Sequence, residues 1–153
     1  MIEAVPTSWF SGDYLLQQPH GTVAELDVSA WREKAEFEVQ GGRYRLSREG
    51  MRSGAFVLES QGQMLARAVK PSAFRARFEV QFAGRTYELR RGGWASSSFG
   101  VFAGHQQVGS VRRAGVFSRR AYIDLPDDWP LAAQVFIFWL ALVIWNRERA
   151  AAS

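Results

Sequence analysis

The residues able to carry out chemistry are few in this 153-residue chain. There is no cysteine, so thiolate nucleophiles, disulfide frameworks and sulfur-ligated zinc are excluded. The only histidines, His20 and His105, each adjoin a glycine, Gly21 or Gly104, in a turn-like setting, without a second histidine or a carboxylate at metal-ligand spacing. No Gly-x-Ser-x-Gly, His-Glu-x-x-His or Gly-Lys-Ser/Thr phosphate loop occurs. Asp127 and Asp128 are adjacent carboxylates that could divide acid and base roles, but just before an apolar segment they fit helix capping better. The expectation is a noncatalytic protein with no cofactor and no metal.

The remaining chemistry is cationic. Seventeen Arg and two Lys face fifteen acids, for a net charge of +4, and the distribution is uneven. Residues 1–40 carry a net −5, residues 41–123 a net +11 and residues 124–153 a net −2. Such a basic body attracts lipid head groups, phosphates or nucleic acid, although the same arginine bias also serves solvated strand faces. The candidate ligand-binding residues are Lys70, Arg75, Arg77, Arg112, Arg113 and Arg120, which fall at outward positions or at strand ends and could hold phosphate through charge-assisted hydrogen bonds. Arg119 breaks the alternation of its strand and is expected at a barrel mouth or a bulge, whereas Arg48 and Arg91 share the parity of buried neighbours and are assigned to strand-end structure.

Those positions depend on strands. Displaced by 43 residues, the chain matches itself at ten identities in 42 pairs, among them Tyr44 with Tyr87, Leu46 with Leu89, Phe56 with Phe99 and Arg77 with Arg120. This is an internal repeat of residues 41–82 and 84–125 within a single domain, 1–153. Inside each unit apolar residues alternate with polar ones, the period of strands with one buried face. Strands are expected at 23–31, 34–39, 43–48, 55–60, 63–70, 73–82, 85–91, 97–103, 106–113 and 116–125, with a weaker one at 14–18. Gln61-Gly62, Ala83-Gly84 and Gly104-His105 sit where hairpin turns belong, so neighbouring strands should run antiparallel. The aromatics share the apolar parity of these strands and are expected in the core, which disfavours base stacking and nucleic acid as a ligand.

After Leu125 the pattern changes. Residues 131–145 are apolar apart from Gln134, with Pro130 suited to a first turn and Arg147 and Arg149 complementing the far end of a helix spanning about 129–149. A helix apolar on all sides must be buried on all sides. At roughly 1.5 Å per residue the apolar stretch falls short of a hydrocarbon layer of roughly 30 Å, which favours a core helix. Trp129 and Trp145 flank it as interfacial belts do, so a tail anchor in lipid stays open as an alternative. The fold class expected is mainly β, a closed antiparallel barrel of about 12 strands from two similar halves, enclosing the C-terminal helix.

This arrangement resembles the tubby C-terminal-like superfamily, which includes tubby proteins, LURP-one-related proteins and phospholipid scramblases. The resemblance covers residues from about 14 to 149 and rests on the repeat, the strand count and the 131–145 helix, not on a short motif. It implies a small bacterial member and a barrel threaded by a helix. No calcium-site loop or phosphoinositide-binding segment can be matched residue by residue, so no functional residue is carried over. The expected function is a binding module engaging anionic lipid or phosphorylated ligands through basic strands. The alternatives are a structural or regulatory domain that contacts another protein, and the tail-anchored form. Glu3 stands where a secretory signal needs positive charge, so the expected location is cytoplasmic, peripheral to the membrane.

Overall fold

The computed structural model describes residues 1–50, 54–71, 76–93 and 96–153. It contains twelve strands followed by one helix: β1 (Ile2–Pro6), β2 (Tyr14–Gln18), β3 (Gly21–Ser29), β4 (Lys34–Val39), β5 (Gly42–Arg48), β6 (Ala55–Ser60), β7 (Gln63–Val69), β8 (Arg77–Phe82), β9 (Arg85–Arg91), β10 (Ser98–Ala103), β11 (Gln106–Arg113), β12 (Ala121–Asp124) and α1 (Leu131–Ala152). Each strand pairs antiparallel with its sequence neighbours, and β1 pairs with β12, so the sheet closes into a barrel. The strand that completes the closure, β1, is the one that residue alternation did not reveal. Ile2 and Ala4 are fully buried while Glu3 is only half-buried, but an alternation over five residues is too short to stand out.

The two 43-residue units correspond to β5–β8 and β9–β12. The strands β1–β4 repeat the same layout of loop, tight turn, loop and tight turn. The second hairpin of each set carries a bulge at the same place, between Leu16 and Gln17, Leu58 and Glu59, and Val101 and Phe102. Leu58 and Val101 are repeat partners, so the bulge was duplicated with the unit. An extra residue bends the strand and increases its twist, which a small closed sheet needs.

The helix runs through the barrel. From Ala132 to Trp145 every residue is buried, Gln134 included. Three aromatic rings at equivalent positions of the three strand sets reach it: Tyr14 packs edge-on against Phe138 (5.2 Å between centroids) and Phe56 edge-on against Trp139 (5.6 Å), while Phe99 meets Trp145 at a tilt (6.0 Å). These rings come from β2, β6 and β10, spaced around the circumference, so the helix is enclosed rather than laid on one face. Burying each large apolar side chain is worth about 1.5–3 kcal/mol, so the helix supplies much of the core that holds the barrel closed. By length and composition α1 could cross a membrane, but 78% of its most apolar window is buried inside the barrel. A tail-anchored arrangement would require the barrel to give up this core.

Three local expectations need correction. Asp127 and Asp128 do not cap the helix: the N-cap is Pro130, without a side-chain cap bond, and Gln134 donates its amide to the carbonyls of Trp129 (3.1 Å) and Pro126 (3.5 Å). The strand expected at 116–125 is confined to Ala121–Asp124, because Arg113 and Arg119 bond to loop carbonyls and hold residues 114–120 out of the sheet. Trp31 lies beyond the end of β3, in the turn to β4.

Candidate functional site

The two ends of the barrel are built differently. At one end the five strand-to-strand connections are two-residue turns, 19–20, 40–41, 61–62, 83–84 and 104–105, and the chain leaves β12 for the helix there through residues 125–130. Both residues of Gln61-Gly62 and of Ala83-Gly84 have positive φ (54° and 75°, 51° and 73°), the conformation of a tight hairpin turn. His20 and His105 lie in this set of turns. At the other end the connections are longer, at 7–13, 30–33, 49–54, 70–76, 92–97 and 114–120.

The long-loop end gathers exposed aromatic and apolar side chains. Trp9, Phe10, Trp31, Val116 and Phe117 are between 77% and 101% exposed, and all five lie in its loops. At the turn end and along the wall, among the described residues, only Met1, Met64 and Leu65 are comparable in kind, at 43–59%. The expectation that the strand aromatics belong to the core therefore fails for Trp31 and Phe117, while Trp9 and Phe10 stand outside every strand expected from the sequence. The signal that distinguishes them is local: each stands in a short pair or singlet beside Ser, Gly or Arg, without an apolar partner two residues away. Exposed apolar patches of this kind, larger than scattered single residues, are where soluble proteins tend to carry interaction surfaces.

Beneath these tips lies a layer of arginines. Arg119 sits over the Tyr14 ring at 5.5 Å, Arg147 over Phe56 at 5.6 Å and Arg91 over Phe99 at 5.5 Å, so each of the three rings that grip the helix carries a guanidinium within cation–π range. Arg147 forks onto Glu33 (2.7 and 2.9 Å), which also receives Arg48 at 3.3 Å, while Arg91 pairs with Glu148. These contacts tie the end of the helix to the barrel mouth and account for Arg48 and Arg91 as strand-end structure. Arg119 donates to the carbonyls of Ser8 (2.6 Å) and Ser11 (2.8 Å), joining the 7–13 loop to the 114–120 loop, at the barrel mouth where its broken alternation pointed.

The sequence-derived candidates fall on this end in two separate groups. Lys70 and Arg77 lie at the β7–β8 connection and Arg112, Arg113 and Arg120 at the β11–β12 connection, with β9 and β10 between them in the sheet; Arg75 lies outside the described residues. Their employment differs. Arg77 lies near Glu88 (3.5 Å) and Glu79 (3.8 Å), and Arg120 pairs with Glu3 (2.6 Å). Arg113 donates to the carbonyls of Ser118 and Val116, both at 3.0 Å, and lies 5.8 Å over the Trp145 ring. Arg112 is exposed over Tyr122 at 4.5 Å. Partial burial, with the positive charge of Arg147 added to it, pulls Lys70 below the ordinary lysine pKa, against a smaller opposing pull from Glu33. Arg113 is lowered by burial and by the neighbouring Arg149. Tyr14 is raised by burial, with Arg119 opposing. Sequence reasoning overlooked Arg32, Arg147 and Arg149 as members of this end.

A groove of about 990 Å³ opens here between the 7–13 loop, the 114–120 loop and the C-terminal turns of α1; its lining includes Val5, Pro6, Trp9, Val116, Phe117 and Trp145. The side wall has a different character. On β3 and β4, Glu25 stands opposite Glu38 and Asp27 opposite Glu36, an acidic strip flanked by Arg43 and Arg45 of β5. Like charges placed opposite one another cost stability, and Arg45, 3.7 Å from Glu36, offsets the strip only in part, so this wall is a second, anionic surface.

No family model matches the chain, and neither a curated protein nor a solved structure matches it. The class these observations define is a closed twelve-stranded antiparallel barrel with a helical core and one aromatic, basic rim.

Proposed function

We propose that this is a noncatalytic peripheral module that docks end-on to anionic lipid surfaces through its long-loop rim. The observation that supports this most is the coincidence of five exposed large apolar side chains with a layer of arginines at a single end. Trp and Phe favour the boundary between headgroups and acyl chains, and each basic residue near an anionic leaflet adds roughly 1 kcal/mol of attraction. The acidic strip on β3 and β4 would be repelled by the same surface, which favours contact by the rim over contact by the wall. The candidate residues then act mainly as a positive field and as braces for the loops. The closed barrel around a helix also agrees with the architecture that the tubby-like resemblance implies, and membership of that superfamily is part of this proposal.

Flotation with vesicles is the test. The protein is expected to float with vesicles containing phosphatidylserine or a phosphoinositide at low salt, to bind less at high salt and to ignore purely zwitterionic vesicles. Binding that is equal across these compositions, or absent from all of them, would remove the proposal.

A further inference from the structure

The groove beside the 7–13 and 114–120 loops has a chemistry more specific than that of the rim around it. Its walls combine hydrocarbon and aromatic surface from Val5, Pro6, Trp9, Val116, Phe117 and Trp145 with the cations Arg113, Arg119, Arg120 and Arg149. Its one acid, Glu148, is taken by Arg91, and Arg120 is taken by Glu3. Arg113 and Arg119 spend their N–H groups on neutral carbonyl oxygens, so those bonds leave their positive charge in place. Arg149, exposed in the last turns of the helix, makes no ion pair or hydrogen bond among the described residues. Arg113 is close enough to Arg149 to feel its charge, and Glu148, shared with Arg91, offsets that repulsion only in part, which leaves like charges adjacent on the groove wall. What complements this groove must be apolar along its body and anionic at one end.

We propose that the groove holds one single-chain anionic amphiphile, with its hydrocarbon chain along Val116, Phe117, Trp9 and Trp145 and its carboxylate or phosphate between Arg113 and Arg149. The volume falls in the range of small-molecule sites. The reading rests on the docking proposal, since it is the rim that would bring the groove against a source of such molecules. It goes further in requiring that one molecule be bound away from any bilayer. A second copy of this chain fits less well, because the groove would then have to receive an acidic segment with an apolar body, and the acids of the β3–β4 strip lie on a paired wall rather than on a protruding loop.

Isothermal titration with monomeric dodecyl phosphate, and separately dodecanoate, below their micelle thresholds tests this on the full chain. One-to-one binding is expected; the stronger of the two arms identifies the head group, and dodecyl trimethylammonium and inorganic phosphate should not bind. Arg149→Glu reverses a head-group charge and Val116→Glu sets a carboxylate on the path of the hydrocarbon chain; both alter exposed positions and should each weaken binding by about tenfold or more. Trp31→Ala lies outside the groove and should reduce vesicle flotation while leaving dodecyl phosphate binding unchanged. Failure of both anionic amphiphiles to bind, equal binding of the cationic one, or indifference to both groove variants would overturn the groove reading. So would a dimer at working concentration that Val116→Glu dissolves. If vesicles still float the protein in those cases, the docking reading survives; if dodecyl phosphate binds but no vesicle does, the docking reading fails and the groove stands alone.

Discussion

The two ends of this barrel are made from the same repeated strands, yet they differ in nearly every property that bears on function. The turn end is closed by five two-residue connections and plugged by Trp129, whose ring packs on Phe82 (4.8 Å) and Tyr87 (4.6 Å). The loop end places comparable aromatics in solvent and surrounds them with arginines. Tight turns leave little chain to vary, whereas longer connections project side chains without disturbing the ladder, so binding groups gather on loops held by a rigid scaffold. On the proposed reading the turn end serves the fold alone, whereas the loop end braces the helix and also presents the docking rim.

The strongest test of that division removes the projecting rings. Replacing Trp9, Phe10 and Phe117 together by Ala should weaken partition onto anionic vesicles by about 4.5 kcal/mol or more, over roughly a thousandfold, given about 1.5–3 kcal/mol for each buried ring. The same change at Met64 and Leu65 on the turn-end hairpin should leave partition unchanged, with flotation and the urea midpoint measured on both. Equal losses from the two ends would show that the distinction has no functional meaning.

Stability should follow the opposite order. Trp129→Ala opens the aromatic plug and should lower unfolding free energy by about 3 kcal/mol, the lower end for a large aromatic truncation because the ring is only half-buried. Phe117→Ala should stay within about 0.5 kcal/mol, as expected for an exposed side chain without packing partners. Urea denaturation of the two variants checks both; a large loss at Phe117 would mean that the loop end is part of the core.

A smaller effect separates the repeat units at the turn end. Ala66 and Gly109 are repeat partners next to equivalent bulges, facing Leu58 and Val101 respectively. A side chain fits at Ala66, but a Cβ at Gly109 would lie 2.4 Å from the Asp124 carbonyl oxygen and 2.8 Å from a Leu125 methyl, where the chain leaves the barrel for the helix. Gly109→Ala should cost about 1–3 kcal/mol, because backbone cannot move aside as a flexible side chain can. Thermal melts that show no loss would mean the exit from β12 is loosely held.

Much of the scaffold was legible because period-two alternation and the 43-residue repeat are written into many residues. Phe56 and Phe99, Leu46 and Leu89, and Gln61-Gly62 report the same unit more than once. The helix was legible because an apolar run from 131 to 145 has few ways to be accommodated. β1 was not, since its inward set is only Ile2 and Ala4. The rim was misjudged for a different reason: parity places a side chain only while the strand continues. Once the ladder ends, as it does before Val116 and before Trp31, an aromatic residue carries no sign of which way it faces. The basic candidates were chosen by parity too, and parity could not tell that Arg77 and Arg120 meet Glu79, Glu88 and Glu3, or that Arg149 from the helix joins the same end.

The finest probe of the loop end is Lys70, one of only two lysines, whose side-chain resonance can be followed through a pH titration. Partial burial and the charge of Arg147 hold its pKa below the ordinary value, and Glu33 pulls the other way. In the unfolded chain the lysine binds its proton more tightly, so between the folded and unfolded pKa values the unfolded state carries more protons. Stability should therefore rise as pH climbs through that window, rather than fall. Glu33→Gln removes a negative charge that favours the protonated lysine while keeping the Arg147 charge in the chain, and should lower the Lys70 pKa further. An anion bound at the rim should raise it by restoring negative charge nearby. If Lys70 titrates at the free-lysine value in the wild-type protein and ignores both changes, the cationic layer beneath the aromatic tips is too well solvated to act as a field.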